Sequence, residues 1–132
     1  MVLLALGVVL VFVAAEVVVS SVAGALRDVP TPLERTIRCL RFEKGLEVST
    51  PPRDLIAGSA DRGALSTVVE GNPVTLSISS DDEDAIRLVD LYERVSGAVL
   101  GTRLERRGRI VYLFFARPSP TQRQILYDCA YS

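Results

Sequence analysis

Residues 74–115 read VTLSISSDDEDAIRLVDLYERVSGAVLGTRLERRGRIVYLFF, and this stretch decides the fold. Residues 74–79 alternate apolar and hydroxyl side chains, which is the period-two pattern of a strand with one buried face. Ser80 and Glu83 have the spacing of a capping box, so they predict that a helix begins here and that Gly97 ends it. The apolar positions that recur at helical spacing are Ala85, Leu88, Val89, Tyr92 and Val95.

A second pair of strands is expected after this helix. Residues 99–104 predict one strand, and residues 105–109 predict a hairpin tip in which Gly108 can take a positive φ. Residues 110–115 are apolar throughout, which indicates a strand that is central in the sheet or covered on both faces. No residue in the whole stretch demands a particular reaction, so the stretch specifies a fold and not an activity.

Two further helices are predicted near the two ends of the folded part. Thr31 and Glu34 form a second capping box, with Pro32 at the first helical position, where its missing N–H costs nothing. Ser119 and Gln122 form a third capping box. The first of these helices would bury Leu33, Ile37 and Leu40, and the last would bury Ile125, Leu126 and Cys129.

Strands and one loop fill the remaining segment. Residues 46–49 and 65–69 are strand candidates, and residues 50–63 are rich in Pro and Gly, which predicts a long surface loop. A turn at residues 70–73 would join two strands as a hairpin. The predicted order is helix, strand, strand, strand, helix, strand, strand, helix. This order indicates an α+β domain with a mostly antiparallel sheet of four or five strands and helices packed on one face.

Composition excludes several classes of function. The 15 Lys and Arg residues nearly balance the 16 Asp and Glu residues, so no global field attracts nucleic acid. Histidine is absent from the sequence, which removes the commonest general base and the commonest metal ligand. The acidic residues 81–84 lack the spacing of a calcium loop and suit the first turn of a helix. We therefore predict no enzyme activity, no metal or other cofactor and no nucleic-acid partner.

Residues 2–26 are almost wholly apolar, with Glu16 as the single charged residue. This length suffices for a membrane-spanning helix, which is the favoured interpretation. A signal peptide cleaved near Ala25 is the second interpretation, and a buried helix of a soluble protein is the third. The predicted organisation is thus a signal anchor or signal peptide at 1–26, a linker at 27–30 and one α+β domain at 31–132.

Cys39 and Cys129 are the only cysteines, and they fall in the first and last helices of the predicted domain. A disulfide between them would close a loop of about 90 residues, which the chain-entropy model values at about 4–5 kcal/mol. Two separate buried thiols are the alternative. The basic residues after the apolar segment favour a cytoplasmic domain, whereas a disulfide requires an oxidising compartment. We expect the disulfide, and with it a membrane-anchored protein whose domain is extracytoplasmic.

Four arginines near the predicted hairpin tip are the candidate anion-binding site: Arg103, Arg106, Arg107 and Arg109. Guanidinium groups could hold phosphate, lipid headgroups or an acidic partner. A solvated tip that discourages edge-to-edge aggregation is the plainer alternative. The function we expect is that of a non-enzymatic, membrane-tethered module that binds a protein partner or serves in envelope assembly. A small-ligand or anion-binding domain is the second expectation, and an enzyme is the third.

Several short motifs spread over residues 33–129 complete the pattern. They are Cys39-Leu40, Gly45-Leu46-Glu47-Val48, Gly63-Ala64-Leu65, Glu70-Gly71-Asn72-Pro73-Val74-Thr75, Asp81-Asp82-Glu83-Asp84-Ala85, Tyr92, Gly108-Arg109-Ile110-Val111, Pro118-Ser119-Pro120 and Cys129. Together they resemble small uncharacterised bacterial exported or membrane-anchored proteins. That resemblance implies an α+β domain with paired terminal cysteines, and it implies no activity.

Overall fold

The computed structural model describes residues 29–97 and 103–131. The apolar helix expected at residues 2–26 and the beginning of the strand expected at residues 99–104 lie outside the described residues. None of the described helices combines the length and the apolar character that a membrane span requires. The chain divides after Pro30, and the fold below is that of the unit that begins at Thr31.

Helices and strands alternate along this unit much as the sequence predicts. In the described ranges the elements are α1 (Pro32–Arg38), a π-helical turn that continues it (Cys39–Glu43), β1 (Val48–Ser49), α2 (Leu55–Gly58), β2 (Ala64–Val69), β3 (Asn72–Ile78), α3 (Asp82–Ser96), β4 (Leu104–Arg107), β5 (Ile110–Phe114) and α4 (Pro120–Asp128).

The five strands form one antiparallel sheet in the order β1-β2-β3-β5-β4. The α+β class and the antiparallel sheet confirm the prediction. Strand β5 lies between β3 and β4, so it has a neighbour on each side. Its position accounts for its unbroken apolar sequence, because both faces of an inner strand are available for burial.

One face of the sheet, the first face, is covered by the two terminal helices. The cross-strand partners Leu65, Leu76 and Tyr112 project from it, and Leu40 and Leu126 pack on them from the helical layer. All five side chains are fully buried. Among the described residues, the buried apolar side chains of this layer are Cys39, Leu40, Val48, Leu65, Val69, Val74, Leu76, Ile78, Ile110, Tyr112, Phe114, Leu126 and Cys129.

Helices also cover the opposite, second face, which corrects the prediction that they pack on one face. Ala85, Leu88 and Tyr92 of α3 form a second core with Val111 of β5. Val111 projects away from the first face because side chains alternate along a strand. The hydroxyl residues of β3 misled the sequence analysis, since Ser77 on this face is buried and not solvated.

The loop predicted at residues 50–63 contains a short helix, α2, that the sequence analysis missed. Asp54 caps its N-terminus, because one side-chain oxygen of Asp54 accepts hydrogen bonds from the amides of Ile56 and Ala57 at 2.9 and 3.3 Å. An aspartate in this role satisfies N–H groups that have no partner within the helix. The same loop ends at Gly63, whose φ is +94°.

Most predicted helix ends are confirmed, and two local predictions are wrong. Ser119 and Gln122 form both halves of the capping box of α4, and Gly97, at φ 61°, ends α3. The N-cap residue of α3, however, is Asp81 and not Ser80. The β4–β5 hairpin tip is also shorter than predicted, because residues 105–107 belong to β4.

Candidate functional site

The second face is buried under α3 and becomes more exposed from row to row along the strands. Three cross-strand rows show this, each with one residue from β2, one from β3 and one from β5 or its end. The row under α3 is buried and consists of Ala64, Ser77 and Val111. The next row is half-buried and consists of Ser66, Thr75 and Leu113. The last row is exposed and consists of Val68, Pro73 and Phe115.

The half-buried row and the exposed row form the floor of an open groove of about 400 Å³. Phe115 is 73% exposed and Val68 is 49% exposed, although both belong to or adjoin strands of the sheet. The side chains of the groove are those of Glu47, Ser49, Ser66, Val68, Pro73, Thr75, Arg103, Leu113 and Phe115. Large apolar side chains that stay exposed together on a sheet face are typical of a binding surface.

The groove carries charge on its two opposite sides. Glu47 precedes β1, and the hydroxyl of Thr67 donates a 2.7 Å hydrogen bond to the Glu47 carbonyl, which ties this side to β2. On the other side, Arg103 Nη1 donates a 2.8 Å hydrogen bond to the carbonyl of Phe115. An acidic group and a basic group thus flank an apolar centre that also offers the hydroxyls of Ser66 and Thr75.

The cysteines predicted to pair form a disulfide. Cys39, in the π-helical turn, is bonded to Cys129 at the end of α4, with Cα atoms 5.5 Å apart. Both residues are buried against the first face. Lys44 Nζ and Asp128 Oδ2 form an ion pair of 2.9 Å between the same two segments. The pKa of Asp128 is lowered, first by its hydrogen bond from Lys44 and then by one from Gln124.

The four arginines of the predicted anion site do not lie together. Arg103 directly precedes β4 and flanks the groove. Arg106 and Arg107 lie at the far end of β4, about 10 Å from Arg103 at 3.3 Å per residue. Arg106 Nη1 donates a 2.9 Å hydrogen bond to the Gly108 carbonyl. Arg109 is exposed in the turn. We call Arg106, Arg107 and Arg109 the arginine tip; anion binding there stays a prediction.

A polar cluster joins β4 to α4 beside the arginine tip. Glu105 accepts hydrogen bonds from Arg123 Nε at 2.6 Å and from Tyr127 Oη at 2.8 Å. The guanidinium of Arg107 lies 4.2 Å from the centre of the Tyr127 ring. Burial, and then the hydrogen bond to Glu105, raise the pKa of Tyr127. Sequence reasoning missed this cluster, because it placed Glu105 in a turn and not on a strand that faces α4.

A second cavity, of about 300 Å³, lies at the beginning of α3. Its charged side chains bind one another or the backbone. Asp84 pairs with Arg87 at 2.5 Å, and Asp61 Oδ1 accepts the amide of Ser80 at 2.9 Å. Within the described part of the chain, no three acidic or cysteine side chains are arranged to hold a metal ion. The groove is therefore the stronger candidate site, because its side chains Val68 and Phe115 are large, apolar and exposed.

No protein-family model matches this chain, and no curated protein and no solved structure matches it either. The resemblance to bacterial exported or membrane-anchored proteins stays a prediction. The geometry of the groove is what supports a functional proposal.

Proposed function

We propose that the protein is a non-enzymatic, membrane-tethered extracytoplasmic module that binds a short apolar segment of a partner protein in the groove. The observation that carries this proposal is the half-covered second face, whose last row is Val68, Pro73 and Phe115. Burying one large apolar side chain contributes about 1.5–3 kcal/mol, so an occupant that covers this row gains affinity from Phe115 and Val68 together.

The dimensions of the groove favour a short segment over a flat protein–protein contact. Its volume of about 400 Å³ falls in the range of concave sites that enclose a small group of side chains. Stable contacts between two globular surfaces usually bury more than about 1,000 Å² in total, which is more than this groove offers. The occupant we propose inserts two or three apolar side chains and places a basic residue near Glu47.

The edges of the sheet are poorer docking sites than its second face. The edge strand β1 has only two residues, and Arg41 Nη2 donates a 2.9 Å hydrogen bond to the Val48 carbonyl there. The other edge, β4, carries the charged side chains of Arg106 and Arg107. Short and charged edge strands discourage the addition of another strand, so we propose side-chain insertion and not strand addition.

The tether and the compartment are supported by separate features. The apolar residues 2–26 are long enough to anchor the chain in a bilayer. The Cys39–Cys129 disulfide favours an oxidising compartment, and reducing compartments rarely maintain such bonds. Both features agree with a domain held on the outer side of a membrane.

Photo-crosslinking on the full-length protein in its native host tests the groove. A photoreactive amino acid replaces Phe115 in one variant and Phe42 in the matched control. Phe42 is 81% exposed, and it lies on the helical layer of the first face. We expect a discrete protein adduct from position 115 and none from position 42. Equal adducts at both positions, or none at either, would refute the proposal.

A competing substitution shows whether the adduct depends on the groove. Val68→Asp places a carboxylate in the exposed row beside Phe115. We expect this change to abolish the adduct at position 115 and to leave stability in urea nearly unchanged, because Val68 is half-exposed. An adduct that persists in the folded Val68→Asp variant would place the partner elsewhere.

A further inference from the structure

The chain enters the folded unit at one defined end of the sheet. Leu33, two residues after Thr31, packs so closely on Gly63 that an added Cβ there would lie 2.6 Å from Leu33 Cδ2. Gly63 directly precedes β2. The beginning of β2 therefore marks the end of the sheet near which the folded unit begins.

The arginine tip lies at this same end. The Gly63 carbonyl accepts a 2.9 Å hydrogen bond from Ile78, Ile78 pairs with Ile110, and Ile110 pairs with Arg107. The carbonyl of Arg109 accepts a 2.9 Å hydrogen bond from the amide of Ser79. Three strand spacings of about 4.8 Å place the tip about 15 Å from Gly63.

The groove lies at the opposite end. Val68 and Pro73 face each other next to the β2–β3 turn, and Phe115 follows the last residue of β5. The strands β2 and β3 contain six and seven residues, so about 20 Å separate their two ends.

We propose that the arginine tip contacts the membrane and binds the phosphates of anionic lipid headgroups, so that the groove is presented away from the bilayer. This inference rests on the tether in the proposed function. The apolar run ends at Leu26, and the four residues 27–30 span at most about 14 Å. A tether this short keeps the end of the sheet where the chain enters near the headgroups.

The side chains of the tip suit phosphate. Arg107 is held in place by stacking on Tyr127, and Arg106 is held by its hydrogen bond to Gly108. The guanidinium of Arg109 makes no hydrogen bond or ion pair with any residue that the structure describes, and it is exposed. Planar guanidinium groups bind phosphate oxygens through two parallel hydrogen bonds, which ammonium groups do not match.

Acidic residues at this end are mostly engaged with the protein itself. Asp81 caps α3 by accepting the amide of Asp84 at 2.8 Å, and Asp84 pairs with Arg87. Asp61 accepts the amide of Ser80, and its pKa is lowered first by a hydrogen bond from the Ser80 side chain and then by backbone hydrogen bonds. The exposed Asp82 and Glu83 remain as opposing charges. These carboxylates keep their negative charge, so the basic surface is confined to the arginine tip itself, where Arg106, Arg107 and Arg109 are exposed.

Hydrogen exchange of the full-length protein in nanodiscs tests the inference. One set of discs contains only phosphatidylcholine, and the other contains about a third phosphatidylglycerol, enough for a clearly negative surface. We expect amides in residues 104–111 to exchange at least about threefold more slowly in the anionic discs. Arg106→Gln with Arg109→Gln should remove this protection. Arg117→Gln, an exposed arginine beyond β5 at the groove end, is the matched control and should retain it.

Each other result has one meaning. If the protein inserts and the amides of residues 104–111 exchange equally fast in neutral and anionic discs, the headgroup contact is overturned and the groove proposal is left intact. Protection by inorganic phosphate in neutral discs, without protection in anionic discs, would reassign the tip to free phosphate and overturn the membrane contact. Failure of the full-length chain to insert into any disc would overturn the tether, and this inference with it.

Discussion

Tyr92 Oη donates a 2.5 Å hydrogen bond to Asp54 Oδ2 and so joins α3 to the beginning of α2. The other oxygen of the same carboxylate caps α2 through the amides of Ile56 and Ala57. Tyr92 is buried, so its hydroxyl depends on Asp54 as its acceptor. One carboxylate therefore holds the short helix in place and satisfies a buried phenol.

Removing Tyr92 Oη and removing the Asp54 carboxylate should both destabilise the domain, but by different free energies. We expect Tyr92→Phe to cost about 1 kcal/mol, since Asp54 is only half-buried and can bind water. Asp54→Ala should cost about 2–3 kcal/mol, because it removes the cap and leaves the Tyr92 hydroxyl without an acceptor. A double-mutant cycle in urea measures the interaction between Tyr92 and Asp54. If the two losses of unfolding free energy are strictly additive, the two side chains do not interact. Asp54→Asn, which keeps the cap, is the control.

Alkaline pH should unfold the protein through its buried tyrosines. Burial is the first cause of the raised pKa of Tyr92 and Tyr112, and for Tyr92 the Asp54 carboxylate adds to it. A folded-state pKa above the unfolded value of about 10 means that this stability is fully present below pH 10 and is lost as pH rises further. The chain has no tryptophan, so tyrosinate absorbance can be followed alongside unfolding. Tyr92→Phe should weaken this pH dependence, and a dependence unchanged in that variant would contradict the assignment.

Reduction of the disulfide should cost about 4–5 kcal/mol, the chain-entropy value for a loop of about 90 residues. Because Cys39 and Cys129 are buried, we expect a reducing agent to act only when urea or heat opens the domain. Reduced wild-type protein is the appropriate comparison, since it keeps both sulfur atoms, whereas the double alanine variant also creates cavities. Two thiols that alkylate readily in the native protein from its host would show that the bond is absent there.

Gly63→Ala should destabilise the domain by about 1–3 kcal/mol, because the backbone φ of +94° and the contact with Leu33 both oppose a Cβ. Gly58→Ala is the matched control, since an added Cβ there would meet nothing within 4 Å and the residue is helical. We expect that control to be neutral or slightly stabilising. Leu33→Ala combined with Gly63→Ala should cost less than the sum of the two single changes. Equal stability of the two glycine variants would contradict the packing described here.

Local sequence rules located most of the helices and strands, and they failed where a distant residue decides between two local options. Ser80 with Glu83 and Asp81 with Asp84 have the same spacing at the beginning of α3. Asp81 is the residue that caps the helix, since Asp61 binds the amide of Ser80 from another segment. Nothing in the local pattern of residues 80–84 indicates this contact.

The groove could not be predicted, because it depends on the strand order. In the sequence, Val68, Pro73 and Phe115 are separate strand-end residues with no common pattern. They become one exposed row only because β3 lies between β2 and β5. Hairpins predict which successive strands pair, but the β3–β5 pairing bridges a helix and is not encoded in any turn.

The position of the disulfide also decides how the domain would carry a mechanical load. If a partner in the groove is pulled while the tether holds the chain, tension reaches the domain at Thr31 and meets Cys39 after α1. Residues 31–38 lie outside the loop that the bond to Cys129 closes, so they can unravel before the bond carries any load. Full extension of that segment reaches about 28 Å, compared with about 12 Å as a helix. Beyond Cys39 the load divides between the chain that continues at Leu40 and the bond to the end of α4, so further extraction of the chain must also displace α4 from the first face.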